Sequence, residues 1–270
     1  MENLPISADA RRLTPADIEH FNESGYLQAL PVFDTAAVPQ LQTRLHELEA
    51  LMPADVPISS VNMWHKANRW AYDLARTPAI LDYVEDLIGP DFFQWGGGFF
   101  VKYPGEGNLV PWHQDSQYWP LEPRKTITAS LAFYDGTQDN GAMQVLRGSH
   151  RSGQIPHHDV TGKEYMLGQE IDADQIDTSQ AVTLALRAGE ISLHDEALAH
   201  GSGPNQGNSP RAVLTMRFSP TEVKADLGVW PTFESSMARG VDRHQHNPEA
   251  KVPKGDACPV RSFQLSAEFA

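Results

Sequence analysis

From Phe92 onward the chain is broken into short runs of β-forming residues separated by Gly, Pro, Asn and Asp, with no helix-length segment between them. The runs are QWGGGFFVKY, WHQDSQYW, TITASLAFYD, AMQVL, VTLAL, ISLH and RAVLTMRFS. Parallel strands need crossovers of a dozen or more residues, usually helices, so this punctuation predicts antiparallel pairing in a sandwich or barrel. In TITASLAFYD, Thr126, Thr128 and Ser130 alternate with Ile127, Ala129 and Leu131. One face of that strand is therefore apolar, and the other borders a wetter space, which suggests a lined cavity.

The first third reads differently. Thr14-Pro15-Ala16-Asp17 carries a hydroxyl at the N-cap, proline at the first helical position and an acid in the first turn, predicting a helix that ends near Gly25. Val38, Leu41, Leu45 and Leu48 recur at helical spacing and predict a second helix over roughly 35–51. A third runs through PAILDYVEDLIG to the stop at Gly89-Pro90. The expected plan is one domain over 1–270: helices to about residue 90, a barrel core over about 91–220, and an irregular segment over 221–270.

A formal charge of −14 excludes a generalised nucleic-acid or anionic-membrane surface, because phosphate binding needs a concentrated basic face. The one cysteine, Cys258, excludes an internal disulfide and a cysteine-rich metal site. The opening residues carry no secretory signal, and no stretch reaches the roughly 18 to 20 apolar residues of a membrane span. A cytoplasmic enzyme acting on a small molecule is expected; the sequence does not speak to its oligomeric state.

In WHQDSQYW, His113 and Asp115 stand two apart, so on a regular strand they offer a nitrogen and an oxygen ligand on one face, with Gln114 on the other. A metal site needs a third ligand, and the segment AGEISLHDEALAHGSGPN offers His194 and His200. His200 is preferred because the following Gly-Ser-Gly-Pro suits a loop at a cavity mouth. Further on, Arg211 shares a strand face with Val213 and Thr215, where a guanidinium could take a carboxylate bidentately. Two histidines and a carboxylate with open positions form the triad that selects non-haem Fe(II) for oxygen chemistry.

Taken in order, WHQDSQYWPLEP, NGAMQVLRGSH and GEISLHDEALAHGSGPN followed by Arg211 resemble the phytanoyl-CoA dioxygenase family of Fe(II)- and 2-oxoglutarate-dependent oxygenases, over roughly residues 94–218. The resemblance implies a mostly β fold with N-terminal helices, a double-stranded β-helix of the jelly-roll or cupin-like kind. It assigns iron to His113, Asp115 and His200. It assigns the far carboxylate of 2-oxoglutarate to Ser202, two residues after His200, and to Arg211, eleven after it. It further implies consumption of O2, with ascorbate as a supporting reductant, release of succinate and CO2, and hydroxylation of an unactivated C–H bond. Halogenating relatives carry a small residue at the position of Asp115, so the carboxylate here points to hydroxylation. Arg147 stands where relatives usually show proline before Gly-Ser-His, so this loop departs from the pattern.

Around that core, Thr128 is assigned to the near carboxylate of 2-oxoglutarate and Lys102 to the co-substrate. If the strand continues past Asp115, Gln117 and Trp119 face the substrate. His194 is given a supporting role or that of a replacement ligand, and His157, His158, His244 and His246 are expected in solvent. Competing readings are a zinc hydrolase using the same triad, a non-catalytic cupin-like binding protein, and an acyl-CoA hydroxylase within the family.

Overall fold

The computed structural model describes residues 4–259. Among the described residues five α-helices, α1 (Pro15–Ser24), α2 (Val38–Glu49), α3 (Trp64–Ala67), α4 (Arg69–Leu74) and α5 (Pro78–Ile88), precede most of the strands. The first starts as its sequence requires: Asp17 N–H donates to Thr14 Oγ1, Thr14 N–H donates to the Asp17 carboxylate, Pro15 opens the helix and Gly25 closes it at φ 83°. The second begins at Val38, where its apolar spacing starts, rather than near residue 35, because Thr35–Ala37 is a 3-10 turn capped by Asp34.

The larger sheet runs in the order β1 (Tyr26–Pro31), β10 (Glu190–Asp195), β5 (Ile127–Ala132), β12 (Arg211–Pro220), β2 (Phe92–Lys102) and β14 (Ser236–Arg239). A smaller sheet runs β3 (Val110–His113), β11 (His200–Ser202), β6 (Gln144–Val145) and β9 (Val182–Thr183). Every pairing in both is antiparallel. Two outlying ladders join β4 (Leu121–Glu122) to β13 (Lys224–Ala225) and β7 (His157–Asp159) to β8 (Gln169–Ile171). Among the described residues no ladder joins the two main sheets, so the β structure is not a closed barrel.

The alternation in β5 is realised as expected. Ile127, Ala129 and Leu131 join Leu193, Leu214, Met216 and Phe218 in one core with Leu41, Leu45 and Leu48 of α2 and Ile80, Tyr83 and Val84 of α5. The helices thus plate the apolar face of the larger sheet, each buried leucine contributing about 1.5–3 kcal/mol. The opposite face carries Thr128, Ser130, Ser192, His194, Arg211, Thr215 and Arg217, aligned across β10, β5 and β12 by register, and it turns toward the smaller sheet. Two expectations are corrected. Tyr26–Pro31, within the part expected to be helical, is an edge strand, and the segment after residue 220 is not merely irregular, because β14 extends the larger sheet by pairing with β2.

Candidate metal centre and co-substrate pocket

β3 and β11 pair so that His113 and His200 stand directly opposite, their ring centroids 4.1 Å apart. Each ring is fixed from behind: Nδ1 of His113 donates to the Pro111 carbonyl at 2.8 Å and Nδ1 of His200 to the Leu198 carbonyl at 2.9 Å. A carbonyl only accepts, so the proton of each neutral ring sits on Nδ1 and the Nε2 lone pair is left to face the site. Burial, followed by the nearby histidines, holds His200 well below the usual imidazole range, keeping it neutral.

Asp115 reaches the same point by another route. The strand does not continue through it: β3 ends at His113, and Asp115–Gln117 form a 3-10 turn. The turn is anchored by Gln114, whose side chain is fully buried. Its Nε2 donates to the carbonyls of Ala197 and Gly153, while its Oε1 accepts from Ile155 N–H. The Gln114 N–H donates to Nε2 of His157, which in turn donates from Nδ1 to the Ile155 carbonyl. His157 therefore belongs to this brace rather than to solvent.

The turn brings Asp115 Oδ1 to 3.7 Å from His113 Nε2. Both are acceptors with no proton between them. One ligand atom from each of His113, Asp115 and His200 lies within 4.8 Å of the others, all three residues being buried. Such a convergence of lone pairs is unfavourable unless a cation occupies the centre, so the donor set fits a divalent metal.

The other oxygen of Asp115 is held separately. Thr128 Oγ1 donates to Oδ2 at 3.2 Å, and His194 Nε2 lies 3.4 Å from the same atom. Thr128, assigned to the co-substrate from the sequence, thus has Asp115 as its hydrogen-bond partner here. The same arrangement places His194 behind the carboxylate rather than among the three converging ligands. Burial pushes the Asp115 carboxyl up, but the surrounding imidazoles and the charge of Arg217 hold it well below the usual range.

Next to this centre, β12 and β2 set Arg211 opposite Lys102. The Lys102 ammonium is enclosed and contacts Ser202 Oγ at 2.6 Å, the Ser202 carbonyl at 3.1 Å and the Gly203 carbonyl at 2.6 Å. Burial and the neighbouring Arg211 push its pKa down to about 6. Arg211 is itself buried, which lowers it to about 10, and no carboxylate among the described residues offsets that cost. It lines a small cavity between the sheets with Ser130, Ser192, Met143 and Leu184. An enclosed guanidinium with no anionic partner is a receptor for one.

The phytanoyl-CoA dioxygenase (PhyH) family model matches residues 21–213 of this sequence. The chain belongs to the phytanoyl-CoA dioxygenase family. Among curated relatives, a probable alpha-ketoglutarate-dependent hypophosphite dioxygenase of Stutzerimonas stutzeri is 26% identical over 171 residues, 62% of this chain and 59% of that protein. The chain thus spans under two thirds of that relative's length. An ectoine dioxygenase of Streptomyces avermitilis is 25% identical over 237 residues, 78% of this chain and 80% of its own. Among solved structures, the non-heme monooxygenase ThoJ in its apo form superposes with a TM-score of 0.75 at 29% identity, covering 93% of this chain and 95% of that one.

Within this family member, the residues beyond Asp115 separate. Gln117 is exposed and accepts from Gln154 Nε2, while Trp119 is half-buried and packs edge-on against Trp95 at 4.7 Å between centroids. The strand parity that put both on one face is lost in the 3-10 turn. Two ionisable groups, one buried and one partly buried, escaped the sequence reading. Glu196 accepts from Thr126 N–H, and burial pushes its carboxyl up to about 8. Arg217 sits on the Arg211 face of β12, where burial lowers its pKa and Asp115 opposes the shift. Its signal was present, since the parity of Arg211, Val213 and Thr215 continues to 217.

Proposed function

We propose that this chain is an Fe(II)- and 2-oxoglutarate-dependent dioxygenase that hydroxylates an unactivated C–H bond of a small polar metabolite, releasing succinate and CO2. The observation that carries the reading is the meeting of three lone-pair donors, His113, Asp115 and His200, within 4.8 Å in a buried site. Iron held there would supply the reduction of O2 coupled to decarboxylation of the keto acid.

The protein's own part is to hold and orient. His113 and His200 present neutral nitrogens because their Nδ1 protons are tied to backbone carbonyls. Asp115 presents Oδ1 because Thr128 and His194 occupy Oδ2. Arg211 and Ser202 take the far carboxylate of 2-oxoglutarate, with Lys102 as the second cation of that pocket. The retained carboxylate of Asp115 favours hydroxylation over halogenation. The two facing sheets fit an open double-stranded β-helix, in a single domain over 1–270. Among the described residues no helix is long and apolar enough to cross a membrane. A small-molecule enzyme of the cytoplasm, with neither nucleic acid nor membrane as partner, is the setting we infer.

The test is a panel of small metabolites incubated with the protein, Fe(II), ascorbate and 2-oxoglutarate, reading succinate release and then a gain of one oxygen by mass spectrometry. Turnover that disappears in Asp115→Ala together with Fe(II) binding supports the reading. Absence of 2-oxoglutarate binding to the metal-loaded protein removes it.

A further inference from the structure

Four observations converge on Arg217. First, its Nε is buried without a hydrogen-bond partner, no ion pair satisfies the guanidinium among the described residues, and the side chain as a whole stays partly accessible. A cation kept in this state costs stability and is retained where something binds to it. Second, its place is carved out by neighbours. A Cβ at Gly96 would come within 2.9 Å of Arg217 Cδ, and the ladder between β12 and β2 shifts register at this point. Third, the guanidinium lies over two indoles, its carbon 5.0 Å from the Trp119 ring centroid and 5.9 Å from that of Trp95. Trp95 is fixed in turn by its Nε1–H bond to Ser219 Oγ at 2.9 Å.

The fourth observation is location. Arg217 pairs with Thr128, whose hydroxyl contacts Asp115, so it stands in the same row of the sheet as the metal centre. Arg211 lies six residues earlier on the same face, about 20 Å away along the strand. Arg217 lies toward Trp95 and Ser219, at the end of β12 away from Arg211. The carboxylate gripped by Arg211 is therefore out of reach of Arg217. The family match ends at residue 213, so Arg217 also lies beyond the segment aligned to the family.

We propose that Arg217, lying over Trp119 and Trp95, is the specificity-determining anchor for an oxyanion head group of the substrate, a carboxylate or a phosphonate, held on the side of the metal centre opposite the co-substrate. The fork of a guanidinium matches either group with two parallel N–H···O bonds, and the two indoles, set nearly perpendicular to one another, wall it on two sides. The substrate is then a small organic acid that offers its C–H bond at a fixed reach from its own anion. This deepens the proposed function and rests on it.

The test uses the full chain loaded with Mn(II) as a redox-silent stand-in and saturated with 2-oxoglutarate, so that the Arg211 pocket is filled. Acetate, methylphosphonate and their neutral partners acetamide and dimethyl methylphosphonate are titrated at constant ionic strength, reading tryptophan emission. Saturable quenching by an acid and none by its neutral partner is expected, and which acid responds identifies the head group. Arg217→Gln should weaken that response tenfold or more while changing 2-oxoglutarate affinity by less than threefold, and Arg217→Lys should restore part of it. Equal response to neutral and acidic probes in the unmodified protein overturns the proposal, as does no response to either acid. So does a loss of 2-oxoglutarate affinity in Arg217→Gln as large as in Arg211→Gln. The underlying reading fails separately, if the unmodified protein binds no 2-oxoglutarate at all.

Discussion

Asp115 has its two oxygens assigned to different tasks, and that division is open to measurement. Replacing Thr128 with Val, or His194 with Phe, frees Oδ2 without touching a candidate ligand. Groups that orient a ligand typically contribute 10- to 100-fold in metal affinity, so each variant is expected to raise the Fe(II) dissociation constant by about that factor in an anaerobic titration. Asp115→Ala should lose more than either. Lys102 gives a second residue-scale prediction. With a pKa near 6 it is largely a neutral amine at pH 7.5, and a carboxylate arriving beside it favours the ammonium. Binding of 2-oxoglutarate should therefore take up close to one proton between about pH 7 and 8, and affinity should rise as pH falls from 8 toward 6. Calorimetry in buffers of different ionisation enthalpy measures the uptake, and Lys102→Met should abolish it.

Among the elements, the two faces of β5 and β12 separate stability from chemistry. Leu214 is buried in the core beneath the helices, so Leu214→Ala should cost about 2–5 kcal/mol in urea unfolding. Metal affinity measured on the folded protein should stay within about threefold. What the sequence made legible follows from the same division. The capping of α1, the leucine spacing of α2 and the alternation of β5 are local patterns, and each formed where its pattern stood. The candidate metal ligands and the Arg211 position came from ordered motifs, and the structure gathers His113, Asp115 and His200 at one point. Tyr26–Pro31 and Ser236–Arg239 were missed because edge strands derive from pairing partners far along the chain rather than from their own alternation. Gln117 and Trp119 were misplaced because strand parity was carried through a segment whose backbone turns. Thr128 was placed on the right face, but only the three-dimensional structure shows that its partner is Asp115.

For the whole molecule, the buried donor set couples metal binding to folding. Without a cation, three acceptors facing one another would weaken the native state, and the unfolded chain does not gather them, so ligands of this centre act as stabilisers. A metal at 100 times its dissociation constant should add about 2.7 kcal/mol, read as a rise in the thermal midpoint that chelation reverses. Addition of 2-oxoglutarate to the metal-loaded protein should raise the midpoint again, and Arg211→Gln should cancel only that second increment.

The break between β3 and the turn that follows it has a consequence for how such a centre can diversify. Both imidazoles belong to the β3–β11 ladder, so altering either disturbs a pair of strands. The carboxylate belongs to a separate turn fastened by Gln114. Its chemistry can be exchanged as a module, with the ladder, the imidazole pair and the co-substrate pocket left standing, so one scaffold can be handed a different reaction outcome by rewriting a single position.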